Sequence, residues 1–211
     1  FTFDQAEITH KINLVDINNQ ALIDINAAIK LTDNLPIIAQ IALHQLDLQP
    51  FQSILARVVN LQGKLTTDLT VNGTLASPLI NGEIKLDQGK IKFEKNANVI
   101  DNLSTTVSID NNTARLAGNF LLEGKKANIN GQLSWQDNLA INLDLNGKAL
   151  PFVFPPQLVM SMSPRLNFSF KESTLVISGD IDVLEGNYDI EQLSEDSVPL
   201  SDDVIIIGEN G

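Results

Sequence analysis

Apolar and polar residues alternate along most of the chain. Segment 80–86, with the sequence INGEIKL, places an apolar residue or glycine at every second position. A period of two is typical of β-strands that have one buried face and one solvated face. Similar runs recur about a dozen times between residues 21 and 183. The pattern therefore predicts an all-β fold with one apolar face on each strand.

Short polar segments separate these runs and predict turns between consecutive strands. Asn, Asp, Gly and Pro are the residues that turn conformations favour. The spacing of the turns indicates an antiparallel-rich meander rather than strand–helix–strand units. The predicted turns are 18–19, 33–36, 87–89, 110–112 and 137–138.

One segment has a helical rather than a strand-like period. Apolar residues recur at helical spacing from Phe51 to Val58, and Pro50 precedes them where the first helical turn tolerates proline. Asp47 is available as the N-cap. The pattern predicts one short amphipathic helix at about 48–59, with its apolar stripe facing the sheet. Such a helix would either plug one end of the core or act as a mobile gate.

Residues 150–164 form an apolar segment that is interrupted by proline. Because proline cannot donate to a β-ladder, it is excluded from central strand positions. We therefore expect an irregular crossover or an exposed edge over this segment. Its prolines are Pro151, Pro155, Pro156 and Pro164.

Several glycines fall in phase with the apolar residues of the runs, and Gly82 and Gly131 are examples. Glycine weakens a strand because it has no side chain to pack. One interpretation is that these glycines relieve crowding where the sheet bends. The other is that they widen an internal trough, and the two are compatible.

The predicted strands must cover an apolar face of roughly 40 side chains, each stabilised by about 1.5–3 kcal/mol when buried. One short helix is too small for this. The sheet could fold into a sandwich with a dry core, close into a barrel, or curl into a trough. Aromatic residues make up only 5% of the chain, so its apolar residues are mainly aliphatic. An aliphatic trough suits an acyl chain better than a polar metabolite.

Composition and motifs narrow the possible functions. A formal net charge of −12 argues against nucleic acid as a partner. The chain has no cysteine and only two histidines, and it contains no recognisable nucleotide, nucleophile or metal motif. We therefore expect no enzymatic activity and no cofactor. Because the chain begins within an alternating run, we expect it to be a segment of a longer protein.

Two stretches resemble a known family. The first is residues 61–91, with the cadence QGKL, VNGTLASPLINGEIKL and GKI, and the second is residues 155–190, which begin PPQLVMSMSPRLNFSF. They are similar to the TamB family, the inner-membrane-anchored subunits of bacterial translocation and assembly modules, within the AsmA-like superfamily. The resemblance extends over roughly residues 45–207, including the family's C-terminal domain.

This resemblance implies a long sheet curled into a taco-like trough with a hydrophobic interior, and a single β-taco domain over 1–211. It implies a periplasmic location, with an inner-membrane anchor outside this chain. The implied partners are phospholipid acyl chains, outer-membrane protein substrates and the outer-membrane barrel TamA, the last through the full-length protein rather than through this chain. The implied role is phospholipid transport between the two membranes or assistance in outer-membrane protein assembly.

The alternating runs indicate which residues would line such a trough. They are Ile84, Leu86, Ile91, Phe93, Leu116, Phe120, Leu133, Ile141, Leu143, Phe168 and Ile177. The alternative without transport is a closed structural domain in which these side chains interlock. Templating of an incoming strand at a free edge is the corresponding alternative for the assembly role.

Overall fold

The computed structural model describes residues 7–94, 97–136, 138–154 and 158–188. Within these ranges the chain forms a single 12-stranded sheet and one short 3-10 helix, so the all-β prediction is confirmed. The strands are β1 (Glu7–Val15), β2 (Ala21–Lys30), β3 (Ile37–Asp47), β4 (Val58–Thr74), β5 (Ser77–Phe93), β6 (Val99–Asn111), β7 (Thr113–Leu122), β8 (Lys125–Ser134), β9 (Ala140–Gly147), β10 (Leu150–Phe154), β11 (Leu158–Lys171) and β12 (Thr174–Tyr188).

The strands follow chain order across the sheet up to β9, as the predicted meander requires. The order then continues β9-β11-β10, and β12 pairs with the other edge of β11. β10 pairs with Leu158–Met162, at the start of β11, whereas β9 pairs with Arg165–Lys171, further along the same strand. β9 and β10 therefore share one edge of β11. Each of these pairings is antiparallel.

Most of the predicted turns lie between strands, but the one at 87–89 is wrong. Segments 18–19, 33–36 and 110–112 join consecutive strands, and Asn138 lies between β8 and β9, with Asp137 outside the described residues. Residues 87–89 lie inside β5 and form a bulge between Leu86 and Gly89. Polar residues and glycine suit a bulge as well as a turn.

Register shifts in four successive strand pairs form a continuous line across the sheet, which we call the crease. They occur in the β3/β4, β4/β5, β5/β6 and β6/β7 pairs, and the pairing places each shift beside the next. A bulge bends its strand and increases the local twist. An aligned set therefore bends the sheet. The crease includes four residues with positive φ: Gln45, Gly63, Gln88 and Asn102.

The predicted helix is shorter than expected and does not pack as expected. It is a 3-10 helix over Gln49–Ile54, and the chain has already entered β4 at Val58. Leu48 is the N-cap, although the Asp47 carboxylate accepts a hydrogen bond from the Gln49 N–H at 2.9 Å. None of the helical residues is buried, and Ile54 is 75% exposed. A helix of six residues presents too little surface to cover the sheet.

The segment predicted to be an irregular crossover or an exposed edge, 150–164, is largely regular, and β10 lies at the end of the strand order. Leu150–Phe154 forms β10, and residues 158–164 belong to β11. Pro151 is tolerated because β10 has only one strand partner among the described residues. Pro164 falls between the parts of β11 that pair with β10 and with β9, where that edge requires no donor. Pro155 and Pro156 lie outside the described residues.

Burial is concentrated at one end of the sheet. Leu122, Ala127 and Leu150 form a buried cluster there, and Ile100, Phe120, Leu145 and Phe152 pack against it. Elsewhere the apolar side chains are mostly half-exposed, and β1 and β12 are exposed along their full length. The sheet therefore has one covered end and a long uncovered face.

Candidate functional site

One row of paired residues crosses almost the whole sheet. In an antiparallel pair, directly opposed residues project from the same face. The pairing joins each member of the row to the next, so all of them share one face, which we call the inner face. The row runs Ile177, Phe168, Leu143, Gly131, Leu116, Val107, Ile84, Thr67, Leu43 and Ile23.

The residues predicted to line the trough all project from this inner face. Ile84, Leu116, Leu143, Phe168 and Ile177 lie in the row just described. Leu133 and Ile141 oppose each other in the adjacent row, and Leu86 lies in the row on the other side. The alternation along β5 would place Ile91 and Phe93 on the face opposite Ile84. The bulge adds one residue to β5 and so places them on the inner face, where Phe120 also lies. Contact of these residues with lipid stays a prediction.

The opposite face is polar and carries ion pairs. Lys85 Nζ lies 2.8 Å from Glu83 Oε2, and the Ser108 hydroxyl donates to Glu83 Oε1 at 3.4 Å. The hydrogen bond and charge of Lys85 lower the pKa of Glu83, and those of Glu83 raise the pKa of Lys85. Glu83 and Lys85 flank Ile84 in sequence, so adjacent residues of β5 face opposite environments.

A cavity of about 910 Å³ lies against the inner face at the covered end. Phe93 on β5 and Leu166 on β11 both line it. β5 and β11 are five strand spacings apart in the sheet. In a flat sheet this separation would be about 24 Å. The sheet must therefore curl here into a trough. The cavity is lined by Arg57, Phe93, Glu94, Asn98, Ile100, Phe120, Leu122, Leu145, Leu150, Phe152, Val153, Phe154, Met162, Pro164, Leu166 and Ile181.

β10 covers this end of the trough and is fastened at both edges. Its pairing with β11 secures one edge, and the side chain of Asn98, which precedes β6, secures the other. The Val153 N–H donates to Asn98 Oδ1 at 3.0 Å, and Asn98 Nδ2 donates to the Val153 carbonyl at 3.4 Å. The Asn98 amide thus forms the pair of hydrogen bonds with β10 that the backbone of a neighbouring strand would form. Leu150, only 1% exposed, inserts into the buried cluster.

Among the described residues that line the cavity, only Arg57 and Glu94 are charged. Both side chains are exposed, whereas Leu122, Leu150 and Pro164 are buried. The Glu94 N–H donates to the Arg57 carbonyl at 2.8 Å, which holds the two residues together. The cavity therefore combines a buried apolar interior with a charged and accessible rim.

Sequence reasoning missed the strand that forms the cover. Leu150 and Phe152 are apolar, but the prolines around them indicated irregular backbone. A usable signal was present, because Leu158, Met160 and Met162 alternate and pair with β10 in the structure. Asn98 carried no signal, since its role depends on a contact with Val153, 55 residues away.

The in-phase glycines lie where neighbouring atoms leave no room for a side chain. A Cβ at Gly82, where φ is +136°, would clash with the Asp68 carbonyl of β4. A Cβ at Gly131 would clash with the Leu143 side chain of β9. The space beside these residues is already filled, which supports relief of crowding rather than widening of the trough.

No cluster of metal-binding side chains occurs among the residues that the structure describes. In the same part of the chain, no helix has the length and apolar character needed to cross a membrane.

Comparison with known proteins places both halves of the sheet in one family. The family model of the TamB N-terminal domain matches residues 2–86, and that of the TamB C-terminal domain matches residues 113–210. A Translocation and assembly module subunit TamB from Haemophilus influenzae is 22% identical over 169 residues, which is 79% of this chain and 13% of that protein. No solved structure matches. The described parts of the two matched segments lie in one sheet, with β6 between them, and the chain belongs to the TamB family.

Proposed function

We propose that this chain is a periplasmic segment of a TamB-like protein, and that its trough shields the acyl chains of phospholipids passing between the inner and outer membranes. The observation that carries the proposal is the inner face itself. It is apolar across the strands from β12 to β2, yet the described residues leave most of it half-exposed. A large accessible apolar surface indicates a binding function.

The energetics support a hydrocarbon ligand. Each methylene removed from water contributes about 0.8 kcal/mol, so an acyl chain recovers much of the cost of leaving a bilayer when the trough covers it. The row between Ile177 and Ile23 is mainly aliphatic and contains no charged side chain. A uniform surface of this kind lets a chain move without binding tightly at one position.

Photo-crosslinking at adjacent residues of β5 tests this proposal. A photoreactive amino acid replaces either Ile84, on the inner face, or Glu83, on the outer face, and the 211-residue chain is incubated with phosphatidylethanolamine vesicles. Lipid adducts are expected at position 84 and not at position 83. Equal labelling at both positions, or none at 84, would contradict the proposal.

A blocking variant adds a second test of the same proposal. Leu143→Asp places a carboxylate in the row that contains Ile84, and it is expected to reduce labelling at position 84 at least fivefold. Asn142→Asp is the matched control, because it adds the same charge to the outer face of the same strand. Circular dichroism of both variants shows whether the sheet is retained. Undiminished labelling in a folded Leu143→Asp variant would count against the trough.

A second candidate function is assistance in outer-membrane protein assembly. The observation that favours it is β12, a 15-residue strand that is exposed throughout and pairs only with β11 among the described residues. An accessible edge of this length can template an incoming strand. Crosslinks from β12 to an unfolded outer-membrane barrel protein, without lipid adducts at position 84, would favour this role. Contact with TamA would be made by the full-length protein.

A further inference from the structure

We propose that β10 is a strap that closes one end of the trough into a pocket for a single hydrocarbon chain, and that the Asn98 side chain controls its opening. This inference rests on the proposed function, because the chain it would hold is that of a lipid. It goes further in naming a closed subsite within the trough and the residue that holds it shut.

The covered end differs from the rest of the trough because some of its apolar side chains are buried. Leu122 lies on the wall and Leu150 on the strap itself, with exposed fractions of 5% and 1%. Phe93, Phe154 and Ile181, at 41%, 46% and 50%, are the more exposed apolar lining residues. A chain that enters along the trough would thus pass from an open surface into a partly enclosed space. A volume of about 910 Å³ lies within the range of pockets that hold small ligands.

The chemistry of the lining favours a hydrocarbon chain whose polar head stays at the rim. Polar groups are scarce inside the pocket, and the Asn98 amide is engaged by the Val153 backbone. The charged residues Arg57 and Glu94 are exposed at the rim. The Arg57 guanidinium would meet a carboxylate or phosphate there, since it presents a fork of donors that matches either group. The methyl end of the chain would lie under β10.

The strap carries fewer hydrogen bonds on the edge that faces Asn98 than on the edge that pairs with β11. Five residue pairs join β10 to β11, whereas the described hydrogen bonds across its other edge are the two between Val153 and Asn98. Loss of those two bonds would leave β10 held by its pairing with β11 and by the packing of Leu150 and Phe152. Separation of these two side chains from the cluster would then open the pocket without disruption of the sheet.

A spin-labelled fatty acid tests the pocket directly. The probe is stearate with a nitroxide near its methyl end, added to the 211-residue chain and followed by electron paramagnetic resonance. We expect a strongly immobilised spectrum, because the methyl end lies under the strap. Ile100→Trp fills the pocket and is expected to remove the immobilised component. Retention of that component in a folded Ile100→Trp variant would overturn the inference.

Substitution of Asn98 tests the strap. Asn98→Ala removes both bonds to Val153 and is expected to release the probe at least tenfold faster. Asn98→Asp keeps an acceptor for the Val153 N–H and is expected to release the probe at an intermediate rate. This variant also provides the test if Asn98→Ala does not fold. Asn128→Ala is the matched control on the outer face, where Asn128 bonds Asn146. Release at the native rate from folded Asn98 variants would overturn the strap.

Lipid crosslinking at position 84 of the native chain separates this inference from the proposed function. Labelling at 84 without an immobilised probe would overturn the closed pocket alone. Absence of both signals would overturn the proposed function, and the pocket with it.

Discussion

The covered end and the open trough are built from the same rows of aliphatic residues, yet their burial differs greatly. At the covered end Leu122 is 5% exposed, whereas Ile177, on the same face at the β12 edge, is 58% exposed. The difference arises from the five residues of β10, which cover the inner face at one end of the trough only. A single curled sheet therefore does not bury its own apolar face. Burial requires a strand that closes over the face. Here that strand, β10, is short, and it is held by its pairing with β11, by the Asn98 side chain and by the insertion of Leu150 into the buried cluster.

The covered end and the open trough are also stabilised by different interactions. The covered end has a small core, in which removal of a side chain would leave a cavity. The open trough is held by its hydrogen-bonded ladder and by close contact between backbones, as at Gly82. Substitutions in the two regions should therefore differ in their effect on stability.

The largest expected effect is that of Leu150→Ala. This side chain is almost fully buried, and its truncation is expected to lower the free energy of unfolding by about 2–5 kcal/mol. Leu143→Ala, on the half-exposed face, should cost about 1 kcal/mol, because the leucine buries less surface. Urea unfolding followed by circular dichroism measures both. Equal losses would show that the two regions do not differ as the structure indicates.

Gly82→Ala should have the next largest effect. Its φ of +136° strains any other residue by about 1–3 kcal/mol, and the clash with the Asp68 carbonyl adds to this cost. Gly124→Ala is the matched control, because Gly124 also has positive φ but lies in a turn with open space around it. Thermal unfolding should separate the two variants. A Gly82→Ala protein as stable as Gly124→Ala would contradict the close approach of β4 and β5.

Asn98→Ala should loosen the covered end alone. Loss of its bonds to the Val153 backbone is expected to cost about 1–3 kcal/mol. Hydrogen exchange should accelerate at the Val153 amide, while amides in β7 and β8 keep their protection. Equal acceleration across the sheet would indicate that the strap is not a separate unit.

The smallest effect is expected on the outer face, at Glu83→Gln. The lowered pKa of Glu83 makes a stabilising contribution that is present above its unfolded-state pKa and is lost as pH falls through the folded-state pKa. Both side chains of the pair are accessible to solvent, so the loss should be small beside that of Ile84→Asp at the next position. Urea unfolding at neutral pH and at a pH below the folded-state pKa compares them. Any difference between the native chain and the Glu83→Gln variant should vanish at acid pH, and a persistent difference would require another cause.

Much of the fold could be predicted because alternation is a local property. Residues two apart on a strand share a face in any sheet, so the runs around Ile84 and Leu143 could be assigned to one face without knowledge of their neighbours. The turns at 18–19 and 110–112 followed from residue types that favour turns. The segment at 87–89 has a similar composition but forms a bulge, because β4 and β6 continue beside it. The difference lies in the neighbouring strands.

The alternating sequence by itself determined that the protein is a β-sheet with one aliphatic face and one polar face, since side-chain direction follows position along each strand. Tertiary structure decided how that sheet bends and which part of it is covered. The crease exists because register shifts in four strand pairs come into line. The covered end exists because β10 packs on β7 and β8 through Leu150 and meets Asn98 from 55 residues away at Val153. Both depend on contacts between distant segments, which local periodicity does not encode.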